Sequence, residues 1–426
     1  MGMVVIMLGM VSELLAVALH INTYLLYIFG PPTLVGVLVT GAIGRTLRNR
    51  AAWYWLAFFS WMLLATLFST WRGGSVTRDL DYVKFSLPLL FVFAGLALSW
   101  EEMRLCFYAV GVAGAINVIS SRLFGASDQG RLGLDFGGSI GNPNDLASHL
   151  VLVLPFMLFI ATDRKRGAIV RFSLLALIGY GVWMIFGTAS RGGEIGAGVV
   201  FLFMLFRANA RQRIGVLICG MTLALVVPML LPSATRARLV SLFGGEHQEA
   251  QESEESRSYL FNQSVLYTVQ HPLFGVGPDQ FSNFEGKTRI SEGEVGVWHA
   301  THCAFTQVSS ECGIPALIFF LLGIGSAVSG VNKLWARARK QGFPDIARAC
   351  FYYMTAFVGF LATITFLANA YRLYLPAMIG LGISLCAAGT RYMDQNAPVI
   401  PAAADPVKKR PRVAGPALPA TGVRAF

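Results

Sequence analysis

The sequence predicts an all-α polytopic membrane protein with about 12 transmembrane helices, because the chain is strongly hydrophobic and carries few charges. Of its 426 residues, 55% are hydrophobic and 13% are charged, whereas a soluble protein carries roughly a quarter charged residues. Apolar runs of about 20 residues recur along the chain, and that length allows an α-helix to cross a bilayer with its backbone hydrogen bonds satisfied. Clusters of basic residues separate these runs at every second connection.

Twelve apolar runs are candidate spans. They lie at residues 1–19, 24–43, 53–70, 85–100, 104–121, 146–161, 168–187, 192–207, 214–232, 310–330, 350–367 and 372–390. The fourth, sixth and eighth runs are short and need flanking residues to cross the membrane. An even number of spans places both ends of the chain on one side.

The basic residues indicate which side that is. They are Arg45, Arg48, Arg50, Arg164, Lys165, Arg166, Arg207, Arg211, Arg213, Lys333, Arg337, Arg339, Lys340, Arg348, Arg391, Lys408, Lys409, Arg410 and Arg412. Because cytoplasmic loops carry an excess of Lys and Arg, both termini are predicted to be cytoplasmic. These loops account for the net charge of +11, so no nucleic-acid partner is expected.

The chain divides into a transmembrane domain, residues 1–391, and a basic cytoplasmic tail, residues 392–426, which is rich in Ala and Pro and is predicted to be disordered. The transmembrane domain includes a polar segment, 233–302, on the outer side. Within that segment the acidic run 246–255 favours a mobile loop, and residues 256–270 have helical spacing. A second outer connection, 122–145, is rich in turn-forming residues and ends in a tight turn at 141–144.

Arginines on the outer side depart from the charge rule and are candidates for anion binding. Arg191 is flanked by glycines at the amino end of the eighth span, where free N–H groups and the helix dipole favour an anion. Its guanidinium is a two-pronged donor suited to phosphate. The alternative is an interfacial anchor that reaches the headgroups. Arg257 opens the outer helix, and its alternative is a surface ion pair with a neighbouring glutamate.

His302 lies within the stretch 298–313, where the outer segment re-enters an apolar run. A neutral imidazole at this position can accept a proton near neutral pH, and the alternative is a histidine that caps the tenth span. His299 is three residues earlier and would share a face with His302 on a helix. Cys303 and Cys312 are nine residues apart and would face opposite ways, so no disulfide is expected. The two histidines and Cys303 lack a second ligand pair at zinc-finger spacing, so neither a metal nor another cofactor is predicted.

These signals occur in an order that resembles the O-antigen ligase and polymerase family of bacterial envelope glycosyltransferases. The residues that carry the resemblance are Arg131 with Gly141-Asn142-Pro143-Asn144, Ser190-Arg191-Gly192, Arg257 leading to His271-Pro272-Leu273-Phe274-Gly275, and His302 with Glu311 and Gly313. Three positions depart from the usual family pattern, namely Cys303 for asparagine, Thr306 for leucine and Phe261 for tryptophan.

The resemblance implies a metal-independent, inverting transferase of the GT-C type in the inner membrane, acting on the periplasmic face. It would take a glycan from undecaprenyl pyrophosphate and pass it to an acceptor such as lipid A-core or another glycan. By residue, it implies that Arg191 and Arg257 hold the pyrophosphate and that His302 activates the acceptor. Supporting positions are Arg131, Asn144, Glu311, Arg372 and His299, with Glu311 expected to be structural.

The resemblance leaves two activities open, and a different class of protein remains an alternative. One large outer segment before the tenth span favours a ligase, and the runner-up is a polymerase that extends lipid-linked repeats. Glu13, inside the first span, is costly in lipid and keeps a solute or ion transporter as the alternative from another class. Few charges of that kind occur, and no internal repeat is evident.

Overall fold

A computed structural model describes residues 1–95, 97–128, 131–134, 140–233, 235–236, 248–296 and 298–396. The predicted disordered tail lies outside these residues from position 397 onward. Its first residues, 392–395, do not belong to a tail, because the last helix extends through Gln395.

The described chain is mainly helical. In chain order the helices are α1 (Gly2–Leu8), α2 (Val11–Leu19), α3 (Leu25–Val39), α4 (Ala42–Thr46), α5 (Arg50–Leu67), α6 (Arg72–Asp81), α7 (Leu87–Gly95), α8 (Trp100–Phe124), α9 (Pro143–Ala161), α10 (Ala168–Gly187), α11 (Arg191–Arg207), α12 (Ala210–Leu230), α13 (Gln248–Gln270), α14 (Phe281–Ser291), α15 (Ala304–Gln341), α16 (Pro344–Ile364) and α17 (Tyr374–Gln395). A π-helical turn, Tyr82–Ser86, joins α6 to α7.

Each of the 12 predicted apolar runs coincides with one of these helices or with the bent pair α1–α2. Among the described residues, six helices are long and apolar enough to cross a membrane, or seven if α1 and α2, bent by 66°, form one span. Others are short: α3 has 15 residues and α11 has 17. The multi-pass architecture therefore follows from the helices, and the count of 12 remains a prediction.

Two polar segments differ from the sequence expectation. The turn-rich connection 122–145 contains an antiparallel hairpin of β1 (Gly125–Asp128) and β2 (Arg131–Leu134), with Asp128 paired to Arg131. This small sheet is an addition to the predicted all-α fold. The prediction of a mobile acidic loop is wrong from residue 248 to 255, which belong to α13. Glu, Gln and Ala are strong helix formers, and here that propensity decides the backbone.

The helices pack around α9, which occupies the centre of the bundle. In α9, 83% of the apolar window is buried, whereas only 6% is buried in the apolar part of α12, Gln212–Leu230. A helix that is apolar on all sides is stable when protein surrounds it, as it surrounds α9, or when lipid does. Because α12 is apolar and little buried, it faces the surrounding lipid. Because α9 is central, its first turn lies among the ends of several other helices.

The helix α15 is broken near its start. Gly313 has φ 85° and ψ 173°, so residues 304–312 and the rest of α15 follow different axes. The N–H of Ile314 donates to the carbonyl of Pro272 (2.8 Å), and the N–H of Val276 donates to the carbonyl of Ser310 (2.9 Å). The break leaves N–H and carbonyl groups of α15 without partners inside the helix, and the loop after α13 pairs with them. These hydrogen bonds fix the loop against α15.

Candidate active site at the starts of α9, α11 and α15

The predicted site residues lie at one end of the bundle, where α9, α11 and α15 begin; we call it the His302 end. Arg131 of the hairpin connects the end of α10 to the start of α9. Its Nε donates to the carbonyl of Thr188 after α10 (3.0 Å), and its Nη2 donates to Oδ1 of Asn144 in α9 (2.8 Å). Arg131 and Asn144, predicted as supporting residues, are therefore in direct contact.

Arg191 is the first residue of α11 and lies beside the start of α9. The hydroxyl of Ser190 caps α11 by accepting from the N–H of Gly193 (3.3 Å). A Cβ on Gly193 would lie 2.5 Å from the Cβ of Ala147, so only glycine permits this approach to α9. Glu194, one turn into α11, interacts electrostatically with both Arg191 and Arg131. The positive charges of Arg191 and Arg131 thus both act on the carboxyl group of Glu194.

The segment between α16 and α17 connects the start of α15 to the start of α9. Nδ2 of Asn369 donates to Oδ1 of Asp145 (3.0 Å), and the N–H of Ala370 donates to Oε1 of Gln307 (3.2 Å). Arg372 interacts electrostatically with Asp145. Arg372 therefore stands beside the α9 start, although it is distant in sequence from the other predicted residues.

His302 precedes α15 and is held in an unusual backbone conformation. Its φ of 55° lies in the left-handed region, which is uncommon for a residue other than glycine. Its neighbours on both sides, Thr301 and Cys303, are buried. The hydroxyl of Thr301 donates to the carbonyl of Cys303 (3.1 Å), so a hydrogen bond links the two residues on either side of His302. Strain of this kind concentrates where a structure fixes a side chain for function.

The imidazole of His302 is neutral at pH 7. Burial, the positive charge of Arg257 and the proximity of His299 together lower the pKa of His302 to about 4. Arg257 belongs to α13, and His302 lies just before α15. A hydrogen bond between the hydroxyls of Thr268 and Ser309 (2.8 Å) joins the same two helices. A neutral imidazole beside a guanidinium can accept a proton near a bound anion.

Two expectations about this stretch are corrected. His299 and His302 do not share a helix face, because α15 begins only at Ala304 and both histidines precede it. The N-cap of α15 is Cys303, so His302 does not cap the helix. His299 is exposed and remains a neighbour of His302.

Glu311 holds a loop in place. Its Oε2 accepts from the N–H of Asp279 (2.9 Å), and its carbonyl accepts from the N–H of Gly277 (2.9 Å). Both contacts belong to the loop that docks at the break of α15. This geometry favours the structural role expected of Glu311, which lies about two helical turns into α15, whereas His302 precedes that helix.

Sequence reasoning missed Arg78, a further arginine at the His302 end. Its Nη2 forms an ion pair with Oδ2 of Asp279 (2.6 Å). The backbone of Asp279 is left-handed, with a φ of 60°. The hydroxyl of Ser75, also in α6, donates to the carbonyl of Pro278 (3.0 Å). The signal was available, because Arg78 follows the third apolar run on the predicted outer side, the same departure from the charge rule that marked Arg191.

The described residues contain no group of three or more His, Cys, Asp or Glu side chains that could hold a metal ion. All six cysteines are free thiols, and Cys303 and Cys312 are both buried. The side chains at the His302 end supply guanidiniums, an imidazole and the carboxyl groups of Asp145 and Glu194.

Residues 172–321 match the model of a family described as O-antigen ligase. The matched region includes Arg191, Arg257 and His302 and ends shortly after the break at Gly313. No curated protein matches the chain at a significant level. One solved structure, from a study of polymerization and crosslinking by a peptidoglycan synthase complex, aligns at a TM-score of 0.42 with 15% identity, over 80% of this chain and 98% of the other. A likeness at that score supports no argument about function.

Proposed function

We propose that this chain, whose residues 172–321 match the model of the O-antigen ligase family, transfers a glycan from undecaprenyl pyrophosphate to an acceptor hydroxyl. The family supports a lipid-linked glycan transferase, and the apolar helices support a multi-pass membrane protein. The observation that carries the proposal is the position of His302, just before α15 and within the matched region, where hydrogen bonds join the start of α15 to α13 and to the segment before α17. In this proposal the reaction takes place at the periplasmic face of the inner membrane.

Arg191 and Arg257 bind the pyrophosphate of the donor. Arg191 opens α11, so its guanidinium and the free N–H groups of the helix start can act on one anion. Arg257 acts from α13, on the side of His302. As the bond from sugar to pyrophosphate breaks, negative charge grows on the leaving oxygen, and preorganised cations stabilise that charge more than they stabilise the ground state.

His302 acts as the general base. The acceptor hydroxyl oxygen attacks the anomeric carbon from the side opposite the pyrophosphate, so the configuration inverts. Its proton passes to a nitrogen of the imidazole, and the electron pair of the broken C–O bond remains on the pyrophosphate. The imidazolium formed then loses its proton to solvent. No metal is needed, because the arginines supply the positive charge and the donor already holds the energy of the pyrophosphate linkage.

The pKa of His302 predicts the pH dependence of this reaction. A general base is inactive when it is protonated. Because the pKa of His302 in the free protein is lowered to about 4, kcat/KM should fall only as the pH drops through about 4. Between pH 5.5 and 7.5, roughly, kcat/KM should therefore show no acid limb from this group. Bound pyrophosphate adds negative charge, which raises the pKa, so the acid limb of kcat should lie at higher pH than that of kcat/KM. An acid limb of kcat/KM near 6.5, the pKa of an ordinary histidine, would contradict the environment described for His302.

Replacing Arg191 or Arg257 with glutamine should weaken binding of the lipid-linked donor by about 10- to 100-fold each, the range expected for a charge-assisted hydrogen bond. The measurement is the affinity of the purified chain for an undecaprenyl-pyrophosphate-linked oligosaccharide. Lys287→Gln is the matched control, since it removes one positive charge from exposed surface of α14. Unchanged affinity in both arginine variants, or an equal loss in the control, would exclude the assigned pyrophosphate contacts.

We favour the ligase form of the reaction, with lipid A-core or a similar glycan as acceptor. The long segment between α12 and α15 carries α13 and α14, and Thr268 of α13 bonds Ser309 of α15. In the proposal this segment bounds the acceptor. A polymerase of the same family would use the same arginines and histidine and would differ in accepting a second lipid-linked glycan.

A further inference from the structure

A second polar site lies at the opposite end of the bundle. A cavity of about 360 Å³ opens there between the α11–α12 connection, the end of α15 and the start of α16. Three of its lining residues are arginines, Arg207, Arg339 and Arg348, and none is an Asp or Glu. Arg339 is about 38 Å from the break of α15, since 25 residues separate it from Ile314 at 1.5 Å each. The cavity is thus separate from the His302 end.

Two of these guanidiniums are fixed around one aromatic ring. The Cζ of Arg207 lies 4.3 Å from the ring centroid of Trp335, and the Cζ of Arg339 lies 4.9 Å from it. Arg207 is further held by Asn332, whose Oδ1 accepts from Nη2 (2.6 Å). Cation–π contacts and this hydrogen bond orient both cations without neutralising either of them.

The charge of this pair is not balanced by a carboxylate. Within the described residues, neither Arg207 nor Arg339 has a carboxylate oxygen within 4.0 Å. Arg348, by contrast, lies 3.8 Å from Asp163 and 3.9 Å from Asp345. Two like charges beside one cavity favour the binding of an anion there. The carboxyl ends of α11 and α15 and the amino ends of α12 and α16 border the same space, so their dipoles oppose one another and the arginine side chains set the charge of the cavity.

The surroundings of the cavity favour a lipid as the source of that anion. The apolar part of α12 is only 6% buried, so this helix runs along lipid from the cavity. Phe206 is 75% exposed and Ile214 is 60% exposed, and they directly flank the α11–α12 connection that lines the cavity. Basic pockets between helices at the cytoplasmic surface bind the headgroups of anionic lipids, and tryptophan is typical of that depth.

We propose that this cavity binds the headgroup phosphate of an anionic phospholipid from the adjacent leaflet. Arg207 and Arg339 donate to the phosphate oxygens, Trp335 keeps the two guanidiniums apart, and the acyl chains lie along α12 beside Phe206 and Ile214. The site is independent of glycan transfer and would couple the α11–α12 connection to the charge of the membrane.

The test compares lipid retention by the full-length chain in detergent, measured by native mass spectrometry with phosphatidylglycerol or phosphatidylcholine. Arg207→Gln with Arg339→Gln should reduce bound phosphatidylglycerol by on the order of tenfold or more, because each arginine near an anionic headgroup contributes to binding. Lys333→Gln with Lys340→Gln is the matched control, since both lysines are exposed on α15 and neither lines the cavity. The control should retain phosphatidylglycerol like the wild type.

Three results would overturn the proposal. They are equal retention of phosphatidylglycerol and phosphatidylcholine by the wild type, retention by the arginine variant equal to that of the wild type, and an equal loss in the lysine control. Displacement of phosphatidylglycerol by millimolar inorganic phosphate would instead assign the cavity to a free phosphate. If the double arginine variant does not elute as the wild type, Arg339→Gln alone is measured, because its exposed side chain is not needed for packing.

Discussion

Replacing His302 with alanine should lower the rate of glycan transfer by roughly 10²- to 10⁴-fold, the usual contribution of a positioned general base. The acceptor hydroxyl would then have no group to take its proton as the new bond forms. Donor binding should stay close to that of the wild type, because the pyrophosphate contacts are assigned to Arg191 and Arg257. The measurement is the rate with saturating donor and acceptor, together with the donor affinity of the same preparation.

His299→Ala is the control for His302→Ala. His299 is exposed, lies close enough to lower the pKa of His302, and has the same chemistry. Its loss leaves the imidazole of His302 in place and should change the rate at pH 7 only slightly. Equal losses in the two variants, or a His302→Ala rate within a few-fold of wild type, would show that His302 is not the base.

The largest expected effect on stability comes from Gly313→Ala. With φ 85° and ψ 173°, Gly313 occupies a region that is essentially restricted to glycine, and a Cβ there would lie 2.1 Å from the carbonyl oxygen of Leu273. Alanine must therefore displace the loop that docks at the break of α15. We expect a loss of about 3 kcal/mol or more in the free energy of unfolding, and loss of transfer activity, since the same loop is held by Glu311.

Gly325→Ala gives the matched comparison on α15. No atom lies within 4 Å of a Cβ built at Gly325, so alanine should be tolerated there and should favour the helix. Thermal unfolding of the two variants in the same detergent measures the difference. A Gly313→Ala protein that melts with the wild type would mean that the break in α15 is not required by the fold.

The helices could be predicted from the sequence because lipid imposes a simple rule on them. An apolar run near 20 residues must be helical in a bilayer, and each such run does form a helix. The hairpin β1–β2 and the acidic start of α13 were missed. Turn-forming residues do not exclude a two-stranded ribbon, and a run of glutamates is compatible with either a loop or a helix.

The candidate site could be predicted only in part. Arg257 and His302 were identified as separate outer residues, and the helix of Arg257, α13, is joined through Thr268 to Ser309 of α15, the helix that His302 precedes. The link from α15 to the start of α9 through Asn369 could not be predicted, because it depends on where α16 ends and α17 begins. Likewise, the ion pair of Arg78 with Asp279 joins positions 201 residues apart, and no local sequence pattern predicts which distant residues will pair.

The most direct test of the proposed function is a reconstituted reaction. Purified wild-type chain in liposomes receives an undecaprenyl-pyrophosphate-linked oligosaccharide and lipid A-core, without a nucleotide and with a chelator present. The proposal predicts glycosylated lipid A-core and free undecaprenyl pyrophosphate in equal amounts, with both products formed roughly 10²- to 10⁴-fold more slowly by His302→Ala. Elongated lipid-linked glycan in place of glycosylated lipid A-core would identify a polymerase. Absence of any transfer by a folded wild-type chain that binds both substrates would contradict the assignment of glycan transfer to this protein.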